Sequence, residues 1–301
     1  NGVCHPRNTD LDLRDIGNVV ENEKEVAVDY GGWWFFAFPL QTVEKYVFPF
    51  FVRGDDSFFC LTNSFSILTL NGIASWQDSF ATKDSPYTVY LDTRYHLIHN
   101  LLGLFAGASR GKALRLMRSW FKRYTLSYHY ESAQTMLDAV EDVVKGPEFW
   151  QKNVDMIARR SQIMARVQKE KMQDLSSDWE NTFRLIESVR KRGLVSRGTL
   201  NGHLLPLSIF KNHNVALKKQ FGGSVSDSFL IRKVLYVESR SQKGYVVEYN
   251  RKLFFKILLR YYCVCYRFWR DYYKLKKDYQ SNLNGLISRE FWLKQFETHN
   301  K

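Results

Sequence analysis

Residues 48–56 read FPFFVRGDD, an apolar run that ends in Arg53-Gly54 and two adjacent carboxylates. The run has the aromatic and β-branched character of a short strand, and successive strand side chains point to opposite faces. We therefore predict Asp55 and Asp56 at the end of a strand, where one can face a cleft while the other holds the loop. A carboxylate in a cleft can act as a general base towards a hydroxyl group, although an Asp-Asp pair is also a common turn signal.

Short elements on both sides extend this pattern. Upstream, the string YGGWW (residues 30–34) places Trp33 and Trp34 beside glycines. Indole faces can stack on a sugar ring, and they can equally fill a core. Downstream, we predict a buried strand over residues 66–70, followed after a turn by Trp76-Gln77. A helix predicted over residues 87–105 then carries Tyr95-His96.

Taken in this order, the motifs over about residues 1–105 resemble the acceptor-side half of the family 2 glycosyltransferases that build bacterial galactofuranan. The resemblance implies an α/β fold in which residues 1–105 form the C-terminal half of a GT-A-type glycosyltransferase domain. It also implies an inverting reaction that transfers galactofuranose from a UDP-sugar donor to a growing, lipid-linked, cell-surface glycan. The nucleotide-binding half of such a domain lies upstream, and we expect this chain to be part of a longer polypeptide.

The resemblance also assigns roles to individual residues. Asp56 matches the catalytic base. The acceptor- or sugar-binding positions of the family are matched by Asp55, Trp33, Trp34, Trp76 and His96. The match of His96 holds in one of two alignments, and the other alignment places Leu97 at that position. Gln77 stands where the family has a metal-binding histidine, and an amide oxygen is a weaker ligand for a divalent metal than imidazole. The resemblance therefore implies a divalent metal, Mn²⁺ or Mg²⁺, held mainly by residues outside this chain.

The segment 106–301 is predicted to be a mainly α-helical domain with one β-hairpin. Its helical periodicity is strongest in the stretches 112–124, 132–145, 148–172, 177–191 and 251–280. The hairpin is predicted to pair residues 232–238 with residues 245–249.

The charge of the chain restricts its partners. A formal charge of +13 over 301 residues favours polyanions. Basic residues recur at spacings of four and seven along the last long helix, at Lys252, Lys256, Arg260, Arg267 and Lys274. Such a stripe can bind an anionic membrane surface or can simply face solvent. Nucleic acid is the less favoured partner, because no recognised nucleic-acid-binding motif accompanies the charge.

The four cysteines are too few and too unevenly placed for a disulfide framework, and Cys263-Val-Cys265 lacks the second ligand pair that a zinc site needs. They favour buried thiols in a reducing compartment, and we expect a cytoplasmic protein peripheral on the inner face of the cell membrane. The rival interpretation is a non-catalytic basic helical module, or a degenerate transferase remnant, that docks on a membrane or on nucleic acid.

Overall fold

The computed structural model describes residues 11–24, 27–50, 52–70, 83–186, 193–211, 213–220, 223–238 and 242–299. The α-helices are α1 (Ile16–Asn22), α2 (Asp55–Asn63), α3 (Pro86–Leu102), α4 (Arg110–Leu126), α5 (Tyr130–Val144), α6 (Pro147–Lys152), α7 (Ile157–Arg166), α8 (Trp179–Thr182), α9 (Leu194–Gly198), α10 (Arg251–Leu286) and α11 (Arg289–His299). The strands are β1 (Gln173–Asp174), β2 (Phe183–Leu185), β3 (Asn214–Lys218), β4 (Lys233–Glu238) and β5 (Lys243–Glu248). Helices together with a mixed sheet place the chain in the α/β class.

Helix α3 lies at the centre of the molecule and packs against α5 and α10. Local sequence signals set both of its ends. Ser85 accepts a hydrogen bond from the Thr88 amide in a capping box, and Pro86 occupies the first helical position. Gly103 ends the helix in the left-handed conformation, with its N–H donated to the carbonyls of His99 and Asn100. Nearly every residue of α3 is buried, including its polar ones.

The sheet has the order β1-β5-β4-β3-β2. Strands β2, β3 and β4 are parallel, whereas β5 is antiparallel to both β4 and β1. One face of the sheet carries Val215 and Val234 into the main core, which also takes in Phe48 and residues of α10. The opposite face forms a smaller apolar cluster around Leu235.

The predictions for the long helices are confirmed by α3, α4, α5 and α10, although α3 ends at Leu102, before the predicted end at residue 105. The predicted helix over 148–172 was wrong: it breaks between α6 and α7, where Met156 has a left-handed φ of 55°. The helix predicted over 177–191 was also wrong over its described part. Only α8 forms there, and the chain then enters β2.

The strands predicted near the Asp-Asp pair do not form. The described residues of 48–52 are irregular, and so are residues 66–70, where Leu68 and Leu70 are exposed. The predicted hairpin is confirmed as β4 and β5, but it belongs to a five-stranded sheet rather than standing alone.

The core is continuous across residue 105, because α3 packs directly on α5 and α10. The division into domains at that residue and the GT-A arrangement stay predictions. In the described part of the chain, no helix combines the length and the apolar character that crossing a membrane requires.

A candidate general-base site at the start of helix α2

Asp55 and Asp56 form the first turn of α2 instead of ending a strand. The residue before them, Gly54, has φ 84° and serves as the N-cap, so the chain enters the helix through a left-handed conformation that favours glycine. Carboxylates are stabilised at this end of a helix by its dipole and by its free N–H groups. The Ser57 amide donates to the Asp56 carboxylate at 2.7 Å, which fixes the orientation of that side chain.

Helix α3 holds the segment that leads into the acid pair. The guanidinium of Arg53 forms an ion pair with Asp92 of α3. Gly54 lies against Tyr95, so closely that a Cβ atom built on the glycine would come within 2.4 Å of the Tyr95 ring. The backbone of Gly54 also lies close enough to the imidazole of His99 to influence its pKa. Asp92, Tyr95 and His99 lie on one buried helix, and together they fix the position of the backbone that leads into Asp55 and Asp56.

Arg94 is a residue of this site that the sequence interpretation missed. Its side chain is fully buried, and its guanidinium donates to the Val52 carbonyl at 2.7 Å. The rings of Phe50, Tyr90 and Trp150 lie 5.7–5.8 Å from the guanidinium carbon. The positive charge of Arg94 acts directly on Asp55. The signal that could have revealed it is an arginine within the apolar register of the helix predicted over 87–105.

The electrostatics of the two carboxyl groups differ. Burial raises the pKa of Asp55, and the opposing influences include backbone hydrogen bonds and the charge of Arg94. Burial also raises the pKa of Asp56, and the neighbouring charge of Asp55 raises it further, against hydrogen bonds from the backbone of Ser57 and Trp33. A partly desolvated carboxylate with a raised pKa is a stronger base than one in water, which suits proton abstraction from a hydroxyl.

The two tryptophans of the YGGWW string lie beside this pair. The Trp33 backbone lies close enough to the Asp56 carboxylate to lower its pKa, and the Trp33 ring meets Phe59 of α2 edge-on at 5.5 Å. The side chains of Trp33 and Trp34 are 43% and 57% exposed, so they are a surface available to a ligand rather than core. The glycines are required by close packing, since a Cβ on Gly32 would come within 2.8 Å of the Trp34 ring.

The remaining site residues predicted from the sequence have other positions. His96 is buried within α3, where its Nδ1 lies 2.7 Å from the Asp92 carbonyl and its ring packs between Tyr95 and Trp120. His99, one turn further along, is the histidine that contacts Gly54, and burial lowers its pKa to about 3. Trp76 and Gln77 lie outside the described residues.

Among the residues described, no three His, Cys, Asp or Glu side chains come together as a metal-binding group, and Asp55 and Asp56 have no third partner of this kind.

Comparison with known proteins places this site in context. No protein-family model matches the chain. Galactofuranosyltransferase GlfT2 of Mycobacterium tuberculosis is 25% identical over 135 residues, which are 42% of this chain and 21% of that protein. Galactofuranosyltransferase GlfT2 of Mycolicibacterium smegmatis is 29% identical over 133 residues, 42% of this chain and 20% of that protein.

The matches thus cover about a fifth of the length of these curated relatives. They make the chain a distant and partial relative of galactofuranosyltransferases and support a glycosyltransferase-related role.

Proposed function

We propose that the chain forms the acceptor side of an inverting glycosyltransferase that transfers galactofuranose from a UDP-sugar to a growing, lipid-linked, cell-surface glycan. One observation carries this proposal: the partly buried carboxylate of Asp56 lies close to the backbone of Trp33, whose indole is exposed. A base and a sugar-stacking surface are thereby brought to one place. The partial similarity to galactofuranosyltransferases supports the choice of sugar.

In the proposed reaction, Asp56 accepts the proton of an acceptor hydroxyl as the hydroxyl oxygen attacks the anomeric carbon of the donor sugar. The bond between that carbon and the diphosphate oxygen breaks, the configuration inverts, and UDP leaves with the bonding electron pair. The raised pKa of Asp56 strengthens the base, and general-base catalysis by a positioned carboxylate contributes about two to four powers of ten in rate.

The neighbouring residues have supporting roles in this proposal. Asp55, held near Arg94, hydrogen-bonds the acceptor, and Trp33 and Trp34 offer aromatic faces to its sugar rings. We propose that a divalent metal, which would stabilise the diphosphate leaving group, is held mainly by residues outside this chain, with Gln77 as a weak ligand. His96, which is buried within α3, stays a proposed sugar-binding residue.

The test of the base measures galactofuranose transfer by an active transferase that includes this sequence. Asp56→Asn keeps the side-chain shape and one oxygen for the Ser57 N–H but removes the base, so turnover should fall at least about a hundredfold. The matched control is Asp178→Asn, an acidic residue far from the pair in sequence and exposed at the start of α8. Near-normal turnover in Asp56→Asn, with the control unchanged, would refute the assignment.

A second test needs only this chain. Titration with galactofuranose oligosaccharides, followed by NMR, should show binding that Trp33→Ala and Trp34→Ala weaken. Trp269→Ala is the control, because Trp269 is as exposed as Trp33 but lies on α10. Binding that no tryptophan at positions 33 and 34 affects would place the acceptor elsewhere and favour the non-catalytic interpretation.

A further inference from the structure

A cleft lies beside the start of α3, on a different part of that helix from the acid pair. It encloses about 190 Å³ between the first residues of α3, the end of α7 and the segment that follows α7. Asp84, Glu170 and Lys219 line it, and each of these ionisable residues is at least nine-tenths buried. Pro86 in the cleft and Tyr95 beside Gly54 are separated along α3 by about 14 Å of helical rise. This α3 cleft is therefore distinct from the proposed base site.

The segment that follows α7 is fixed by reciprocal hydrogen bonds with the start of α5. The Glu131 carboxylate accepts from the amides of residues 168–170 at 2.9–3.1 Å. In return, the Glu170 carboxylate accepts from the amides of Glu131 and Ser132 at 2.7–3.2 Å. One wall of the α3 cleft is thus formed in advance, and a ligand that enters it loses little free energy to ordering that wall.

The other polar groups of the α3 cleft are positioned by neighbouring elements. The Tyr124 hydroxyl donates to Oδ1 of Asp84 at 3.4 Å. Lys219 directly follows β3, and its amide donates to the Val237 carbonyl at 2.8 Å. Tyr87 also lines the cleft, and its buried hydroxyl has no hydrogen-bond partner among the residues that the structure describes. Because an unsatisfied buried hydroxyl is costly, this group indicates that a polar molecule occupies the cleft.

The charges of the α3 cleft select the class of that molecule. Asp84 and Glu170 oppose Lys219 inside the cleft, and the exposed residues Lys83 and Lys171 complete its polar lining. Burial lowers the pKa of Lys219, whereas the charge of Asp84 raises it. An anion would meet two carboxyl groups and a cation would meet three lysines, so neither is favoured. Hydroxyl groups suit both partners, since they donate to carboxylates and accept from an ammonium group.

The remaining lining is apolar and comes from Pro86, Met164, Val167 and Met172. Such surfaces pack against the C–H groups of a ligand while a few polar groups fix its orientation. The volume is below the roughly 300–1,000 Å³ of sites for drug-sized ligands, which suits one sugar ring rather than a nucleotide. We propose that the α3 cleft binds one neutral sugar residue of a glycan through its hydroxyl groups. This inference goes beyond the proposed transfer reaction, and binding can be measured without turnover.

Methionine methyl groups report on the α3 cleft directly. Met164 and Met172 line it, whereas the other three methionines, Met117, Met136 and Met156, are buried in the core. The protein is labelled with ¹³C at the methionine methyl groups and titrated with methyl galactofuranoside. The signals of Met164 and Met172 should shift in a saturable manner, and the three core signals should stay unchanged. Inorganic phosphate and ethylammonium, an anion and a cation, should not shift them at the same concentration.

Charge variants test the residues that are inferred to hold the sugar. Asp84→Asn and Lys219→Leu each remove one charge with little change in size. Each should weaken the binding of methyl galactofuranoside at least about tenfold, because a hydrogen bond to a charged group is lost. The matched controls are Asp178→Asn and Lys218→Leu, which alter exposed residues that do not line the α3 cleft and should leave binding unchanged.

A blocking variant tests the α3 cleft without removing a buried charge. Met164 is 43% exposed on α7, so Met164→Trp fills the cleft from its open side and should abolish the shift of Met172. Ile157→Trp, at an exposed position of the same helix, is the control and should retain that shift. Circular dichroism checks that every variant keeps its helices.

The outcomes separate this site from the proposed acceptor site. Shifts of Met172 that Met164→Trp removes and Ile157→Trp retains support the proposal. It would be overturned by sugar titrations that leave Met164 and Met172 unchanged, or by shifts that phosphate produces and the sugar does not. Loss of the shifts in Trp33→Ala or Trp34→Ala would assign them to the acceptor site and would also overturn it. If those tryptophan variants affect no sugar binding at all, the proposed acceptor site fails while the α3 cleft stands.

Discussion

Gly54→Ala tests whether the start of α2 is as tightly determined as the contacts indicate. The change adds a Cβ at a residue with φ 84°, and holding an L-residue in a left-handed conformation costs about 1–2 kcal/mol. The new atom would also lie 2.5 Å from Cβ and 2.4 Å from Cγ of Tyr95, the base of a side chain that cannot swing away. Overpacking of this kind costs about 1–3 kcal/mol. We therefore expect the free energy of unfolding, measured with urea, to fall by about 2–5 kcal/mol.

Gly103→Ala is the matched control for the backbone part of this cost. Gly103 has a similar left-handed conformation, with φ 77°, but its nearest neighbour for a new Cβ is the flexible end of Gln280 at 3.9 Å. Its substitution should cost only the strain of about 1–2 kcal/mol. Equal losses of unfolding free energy in the two variants would show that Tyr95 does not pack tightly against Gly54. They would refute the inference that contacts with α3 fix the position of Asp55 and Asp56.

Two further predictions concern buried carboxylates. Glu170 is buried and accepts hydrogen bonds from the Glu131 amide and from Ser132. Burial raises the pKa of Glu170 to about 8 from its ordinary value of 4.5, so its contribution to stability is full below pH 4.5 and is lost as the pH rises through 8. Urea unfolding of the native protein should therefore show a lower stability at pH 8 than at pH 5. The difference should be smaller in Glu170→Gln, and an equal difference in the two proteins would contradict the raised pKa of Glu170. Asp142, which is fully buried, accepts from Tyr90 at 2.8 Å and from Arg159 at 2.7 Å. Asp142→Ala should lower the free energy of unfolding by about 3–5 kcal/mol, because the Arg159 guanidinium loses its partner. Asp271→Ala breaks an exposed pair with Arg270 and should change that free energy little. Similar losses in the two variants would show that the burial of the Asp142 network is unimportant.

The long helices could be predicted because each carries its signal over many residues. Helix α3 combines apolar periodicity with Ser85-Pro86 at one end and Gly103 at the other, and α10 maintains its pattern over 36 residues. The hairpin was predictable because the sequences of β4 and β5 are rich in β-branched residues and tyrosine and are separated by turn-forming residues. Strands β1 and β2, with two and three residues, are too short to show alternation. They form because β1 is hydrogen-bonded to β5 and β2 to β3. These partners lie far away in the sequence, so no local sequence signal predicts either strand.

The sequence predicted which residues form the candidate site but not the backbone conformation and the tertiary contacts that position them. The apolar run before Asp55 resembles a strand, yet Gly54 turns the chain into a helix and the aromatic residues Phe48 and Phe50 fill the core as irregular chain. The residues that fix the acid pair lie on α3, about forty positions later, and the sequence shows no local sign of that contact. The proximity of Trp33 to Asp56 is likewise a tertiary contact, although the two motifs that meet there were both recognised.

The burial of Arg94 bears on whether the acid pair is a site or merely a turn. Two aspartates on a solvated turn need no cation behind them, and an arginine removed from water costs several kcal/mol unless attraction and hydrogen bonds offset it. In this chain, Arg94 is fully buried and makes its hydrogen bond to Val52 at the entrance to the pair, with its charge acting on Asp55. The helix that carries it is held from behind, because Tyr90 donates to Asp142 of α5 and Asn100 accepts from Tyr272 of α10. The surrounding helices thus hold the buried cation of Arg94 beside Asp55, which is the neighbour of the proposed base Asp56. This arrangement is expected where the orientation and charge of the acid pair matter, and it is the physical reason for favouring a chemical role for Asp56 over a structural one.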